Sequence, residues 1–153
     1  MSRGEIAKEY FSKGYNCAQA VLLAFEDVVG LDRASLLKIT LPFGGGMGRL
    51  RLTCGAVSGM VMALGLITGT SEINGQAKSA QYAAVQELVK RFTVQNGSII
   101  CGELLTGKGV QTDTAPNAEP RTQGYYKKRP CADLCYDAAE ILDGYLKEKG
   151  ILK

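Results

Sequence analysis

Histidine is missing altogether from the 153 residues. That absence removes the Ser/His/Asp triad, the Cys/His protease pair and every mixed Cys/His zinc site, so any chemistry must use thiols, carboxylates, tyrosine, lysine or arginine. Charge of one sign is scarce as well. The 18 Lys and Arg against 15 Asp and Glu leave a formal +3, spread along the chain, which gives no polyanion footprint and excludes nucleic acid as an expected partner. The uncharged run from Cys54 to Thr68 is shorter than the roughly 18 to 20 apolar residues that cross a bilayer, so it reads as a buried core helix without membrane insertion. Behind Met1, the residues Ser2-Arg3-Gly4-Glu5 lead straight into a charged amphipathic stretch with no apolar leader and no cleavage site, and a cytoplasmic location is expected. The length suits one domain, 1–153, able to bury a core without disulfides or metal.

Strand alternation is equally rare, and only Arg49 to Thr53 comes near it. Helical spacing is everywhere else. Ile6, Tyr10 and Phe11 share one face of a first helix that Gly14 ends. Asn16 is a favourable N-cap for a second helix, along which Ala18, Val21, Leu22, Phe25 and Val29 keep the period until Gly30. Asp32 caps a short third helix with Leu36, Leu37 and Ile39. The segment Pro42-Phe43-Gly44-Gly45-Gly46-Met47-Gly48 is too rich in glycine for regular structure and reads as a loop at 44–48. Thr53 is the cap candidate for a helix running through Met60, Leu64 and Ile67 to Gly69. Ser71 with Asn74 begins a long helix that closes at Asn96-Gly97. A short helix follows through Cys101, Glu103, Leu104 and Leu105 to Gly107. Residues 108–129 show no period and read as a long loop. Pro130 suits the first position of a last amphipathic helix carrying Leu134, Ala138, Ile141, Leu142 and Tyr145. The expected fold is all-α, a compact single-domain bundle of about five to seven helices.

Against this background five cysteines stand out, because a reducing cytosol disfavours structural disulfides. Cys17, Cys54, Cys101 and Cys131 each fall in the opening turn of an expected helix. The helix dipole and free backbone N–H groups there stabilise a thiolate, so lowered thiol pKa values are expected. Buried, inert packing is the alternative for each cysteine taken alone. Cys135 lies one turn beyond Cys131 on the same helix face, a spacing that suits a shared metal better than an unstrained disulfide, and the preferred reading is a residue facing the core. Gly55, Ala56 and Gly59 are small enough to let another backbone approach in the Gly-x-x-x-Gly manner. Arg49 and Arg51 read as solvated surface residues that, if turned inward, would lower the pKa of Cys54. The glycine loop lacks the Lys-Ser/Thr ending of a phosphate-binding P-loop.

The blocks Asn16-Cys17-Ala18-Gln19-Ala20-Val21-Leu22, Gly44-Gly45-Gly46-Met47-Gly48-Arg49, Cys54-Gly55-Ala56-Val57-Ser58-Gly59, Cys101 with Glu103-Leu104-Leu105, and Cys131 with Asp137-Ala138-Ala139-Glu140-Ile141-Leu142 together resemble the C_GCAxxG_C_C family, labelled redox-active from its cysteine pattern. The resemblance covers nearly the whole chain in order. It implies that Cys17, Cys54, Cys101 and Cys131 are the pattern cysteines and that Cys135 is extra. One local departure is that Gly55 follows Cys54, where the family name writes Gly-Cys-Ala.

Three functions fit these residues. The first is thiol–disulfide or electron-transfer chemistry by the four pattern cysteines with an unidentified redox partner, the fold bringing together thiols that no Cys-x-x-Cys places side by side. The second is a four-cysteine centre holding an iron–sulfur cluster or zinc through Cys17, Cys54, Cys101 and Cys131. The third is a non-enzymatic helical module with structural cysteines. A homodimer is expected as the commonest closed assembly.

Overall fold

Capping chemistry written into the sequence sets the starts of most helices in the computed structural model, which describes residues 1–153. In chain order they are α1 (Arg3–Ser12), α2 (Cys17–Leu23), α3 (Arg33–Thr40), α4 (Gly55–Thr68), α5 (Gly75–Asn96), α6 (Cys101–Thr106), α7 (Gln123–Lys128) and α8 (Cys131–Glu148), with one 3₁₀ turn at Leu41–Phe43. Asn16 Oδ1 accepts from the Gln19 amide at 2.9 Å while Gln19 Oε1 accepts from the Asn16 amide at 3.0 Å, a reciprocal capping box. Asp32, Asn74 and Thr122 cap α3, α5 and α7 with single side-chain oxygens. The helices α4, α6 and α8 begin without such a cap.

The residues Ala18 to Leu23 of α2 are all buried, as befits a helix surrounded on every side. The last helix, α8, turns Leu134, Cys135, Ala138, Ala139, Leu142 and Leu146 inward and packs on α1, α2, α4 and α5. Against α2 lies α4, and glycine sets the distance. A methyl group on Gly59 would stand 2.6 Å from the Ala18 carbonyl oxygen, and one on Gly55 would stand 3.1 Å from Cys17 Cβ. The small-residue spacing in α4 therefore serves a close helix crossing, as its Gly-x-x-x-Gly pattern suggests. No helix is long and apolar enough to cross a membrane.

Three differences from the sequence reading have local causes. The second helix ends at Leu23, and the chain continues to Val29 in tight turns such as Phe25 N–H to the Leu22 carbonyl at 3.0 Å. There the Ala24 carbonyl accepts from Arg3 at 2.8 Å. Within the expected loop 108–129 lies α7, an eighth helix. Its Tyr125 and Tyr126 pack on the Phe11 ring, contacts too few to give it an apolar period. Lastly, Thr53 makes an isolated antiparallel bridge with Ile100 instead of capping a helix, and Cys54 itself takes the N-cap position of α4.

Candidate functional site: a pocket floored by thiols

The bridge at Thr53 decides where two cysteines sit. Cys54 N–H donates to the Ile99 carbonyl at 2.7 Å and Cys101 N–H donates to the Leu52 carbonyl at 2.6 Å, so the two helix starts are fixed side by side. Cys17 and Cys131, at the first positions of α2 and α8, are carried to the same place by the packing of those helices. All four pattern cysteines line one pocket of about 510 Å³, within the ordinary size range of a ligand cavity. The Cys17 thiol neighbours those of Cys131 and Cys135, near enough that each alters its titration. Cys135 is fully buried beneath the pocket rather than lining it, its Sγ 3.9 Å from the Cys17 carbonyl oxygen. It faces the core, as the sequence indicates, and it also supports the floor. The five cysteines are unbridged.

The expectation of lowered thiol pKa values is overturned. The neighbouring Cys131 thiol pulls the Cys17 thiol down, but Cys135, burial and the other sulfurs outweigh it and hold Cys17 well above the ordinary thiol range. The neighbouring Cys17 thiol, followed by burial, pushes Cys131 up. Burial pushes Cys54 up to about 12, although the Ala56 and Val57 amides of its helix oppose this. Burial also raises Cys135 and Cys101, the latter against the pull of Arg51. The physical reason is one of magnitude. A helix terminus contributes about 0.3 to 1 kcal/mol, less than the desolvation of an unpaired thiolate.

One wall of the pocket is the glycine loop, whose backbone is unusual. Gly45, Gly46, Met47, Gly48 and Arg49 all have positive φ, between 57° and 76°, and Arg51 follows at 62°. L-residues normally enter this region singly, at about 1 to 2 kcal/mol each. Gly46 is forced to be glycine twice over, since a methyl there would stand 2.6 Å from Cys101 Cβ and 2.7 Å from the Leu52 amide nitrogen. The loop is thus shaped to reach Cys101 and to turn two arginines inward.

Those arginines are not the solvated residues that the sequence suggests. Their side chains are only 14% and 9% exposed. Arg49 donates to Glu119 at 3.0 Å, to Asp113 at 3.4 Å and to the Ala115 carbonyl. Arg51 donates to the Asp113 carbonyl at 3.1 Å, and its Nη1 lies 3.8 Å from Cys101 Sγ rather than at Cys54. The adjoining wall comes from 110–129, which showed no period in the sequence. Glu119 lies 2.6 Å from Arg129. Arg121 donates to the Phe11 and Tyr15 carbonyls at 3.1 and 3.0 Å and lies over the Phe11 ring. Tyr125 completes the wall, its phenol pushed up to about 12 by burial. The visible signal for these residues was the density of Arg, Lys and Tyr between 121 and 129.

No group of three or more His, Cys, Asp or Glu side chains is disposed to hold a metal ion. The four-cysteine iron–sulfur or zinc centre therefore gains no support from the geometry. A model of the family described as "Putative redox-active protein (C_GCAxxG_C_C)" matches residues 15–145. No curated protein and no solved structure matches the chain.

Proposed function

The chain belongs to the C_GCAxxG_C_C family, and from that premise we propose that it is a thiol redox protein whose Cys17 and Cys131 cycle between dithiol and disulfide. The observation that carries the reading is that all four pattern cysteines, from four different helix starts, line one pocket, with the Cys17 and Cys131 thiols neighbours close enough to shift one another's titration. A thiolate of one sulfur attacks a substrate disulfide, and the second sulfur then displaces the substrate from the first. Cys54 and Cys101 flank the pair, and Arg51 beside Cys101 assists any thiolate formed there. Held above the ordinary thiol range, the sulfurs stay protonated near neutral pH and resist indiscriminate oxidation. The same reading carries the cytoplasmic location, because a dithiol of this kind turns over only where the compartment can reduce it again.

Mild oxidation of the purified protein, with thiol counting and peptide mapping, tests it. Two thiols are expected to disappear together, with Cys17 and Cys131 in one cross-linked peptide pair, and the Cys135→Ala protein is expected to behave alike. Absence of any intramolecular disulfide among the pattern cysteines would sink the proposal. Metal analysis of protein purified anaerobically tests the cluster reading directly.

A further inference from the structure

The thiols occupy the floor of the pocket, and its charge lies in the walls. Four guanidinium groups line it, those of Arg49, Arg51, Arg121 and Arg129, against a single carboxylate, Glu119. That carboxylate is shared three ways, lying 3.0 Å from Arg49, 4.0 Å from Arg51 and 2.6 Å from Arg129. Arg121 makes no ion pair at all; its partners are backbone carbonyls, the Tyr126 hydroxyl and aromatic rings. Asp113 assists only Arg49 with its side chain, at 3.4 Å, and is itself largely exposed. The Arg51 and Arg129 side chains are 9% and 8% exposed, so water does little to neutralise them. Cations so far removed from water call for anionic partners, and one carboxylate among four guanidiniums leaves the pocket with an excess of positive charge.

Carboxylate geometry matches guanidinium geometry, two parallel N–H donors against two oxygens. A ligand with carboxylates at its ends and a reactive bond at its middle would place that bond over the sulfurs. We propose that the pocket binds small disulfides bearing carboxylates, with Arg49, Arg51, Arg121 and Arg129 holding the carboxylates and Cys17 and Cys131 reducing the S–S bond. This rests on the thiol–disulfide reading above. In the first step one protein thiol loses its proton and attacks a ligand sulfur, breaking the ligand S–S bond and forming a mixed disulfide; the expelled thiolate takes up a proton. In the second step the other protein thiol loses its proton and attacks the protein sulfur of that mixed disulfide, expelling the second ligand thiol. Two electrons and two protons pass from the protein to the ligand, leaving a Cys17–Cys131 disulfide and two small thiols. Glu119, already seated among three of the arginines, imitates the ligand's carboxylate and must yield a share of them when the ligand enters.

The test uses the reduced, full-length protein with three probes: 3,3′-dithiodipropionate, the neutral bis(2-hydroxyethyl) disulfide and cationic cystamine. The rate of Cys17–Cys131 disulfide formation is normalised to each probe's rate with dithiothreitol, which removes intrinsic reactivity. The anionic probe is expected to react roughly tenfold faster than the neutral one at low salt, with the advantage shrinking at high salt and cystamine slowest. Arg49→Gln and Arg121→Gln are each expected to lower the ratio of the anionic to the neutral probe's rate, the quantity read, whatever change they make to both rates together. Glu119→Gln is expected to increase it. Equal normalised rates for the three probes in the native protein would overturn the inference, a comparison that needs no variant to fold. If the neutral probe forms no Cys17–Cys131 disulfide, the redox reading itself has failed; if it forms one without charge preference, only the carboxylate specificity has failed.

Discussion

Replacing Gly46 by alanine separates two penalties that the loop 44–51 combines. Its φ of 76° is one, costing an L side chain about 1 to 2 kcal/mol. The other is space, since the new methyl would stand 2.6 Å from Cys101 Cβ, 2.7 Å from the Leu52 nitrogen and 2.8 Å from Arg51 Cα. Two of those neighbours are backbone and cannot swing away, so overpacking adds about 1 to 3 kcal/mol. Together the loss is roughly 2 to 5 kcal/mol against a total stability of about 5 to 15. For a chain of this length each kcal/mol lowers Tm by about 2 to 4 °C, and calorimetry with urea unfolding reads the change. Two companion variants resolve the sum. Gly14 has a φ of 104° and open space around it, so Gly14→Ala carries the backbone penalty alone, about 1 kcal/mol. Gly59 lies within α4 but would meet the Ala18 carbonyl oxygen at 2.6 Å, so Gly59→Ala carries the contact penalty without the backbone one, offset by about 1 kcal/mol of helix propensity. A Gly46→Ala protein within about 0.5 kcal/mol of the native one would refute the reasoning, because that is the range of an inert surface substitution.

Asn16→Ala removes the capping box of α2 and the bond to the Leu41 carbonyl at 3.0 Å; a loss of about 1 kcal/mol in urea unfolding is expected. Gly144 sits inside α8 with nothing within 4 Å of an added methyl, and Gly144→Ala is expected to stabilise by about 1 kcal/mol. Stability should also fall with rising alkalinity. The fold retains thiol protons that the unfolded chain releases, so the unfolded state gains as pH climbs. The fall should begin near the ordinary thiol value of 9.0 and continue towards about 12, the folded value of Cys54. Urea midpoints that stay level or rise across that window would contradict the raised thiol values, and the Cys54→Ala protein should lose less than the native one.

Much of this could be read from local chemistry because helix starts are local events. Asn16, Asp32 and Asn74 act on amides three residues away, so their roles are visible in a short window, and with them the placement of Cys17. The end of α2 was less legible, since the apolar period runs on to Val29 while the Ala24 carbonyl bonds to Arg3 from another helix. The left-handed loop was hidden because Met47, Arg49 and Arg51 carry side chains that disfavour the conformation they adopt; only the surrounding contacts hold them there. Thiol pKa values are likewise a tertiary property. Position in a first turn favours the thiolate, but burial among other sulfurs governs, and no spacing in the chain reveals that Cys17 meets both Cys131 and Cys135. The wall formed by Glu119, Arg121, Tyr125 and Arg129 lies in a stretch without periodicity, where function left only a composition.

Cys17 and Cys131 line one pocket as neighbours although more than a hundred residues of chain separate them. In an unfolded chain, closing a loop of about 100 residues costs about 4.7 kcal/mol. The fold has met that cost before any bond forms. Since 30 mV corresponds to about 1.4 kcal/mol for a two-electron couple, the difference is on the order of 100 mV. The packing of α2 against α8 thereby makes the pair a stronger reductant than the same two residues in a loose chain. A substitution that touches no sulfur, but loosens that packing, would be felt as a change in voltage.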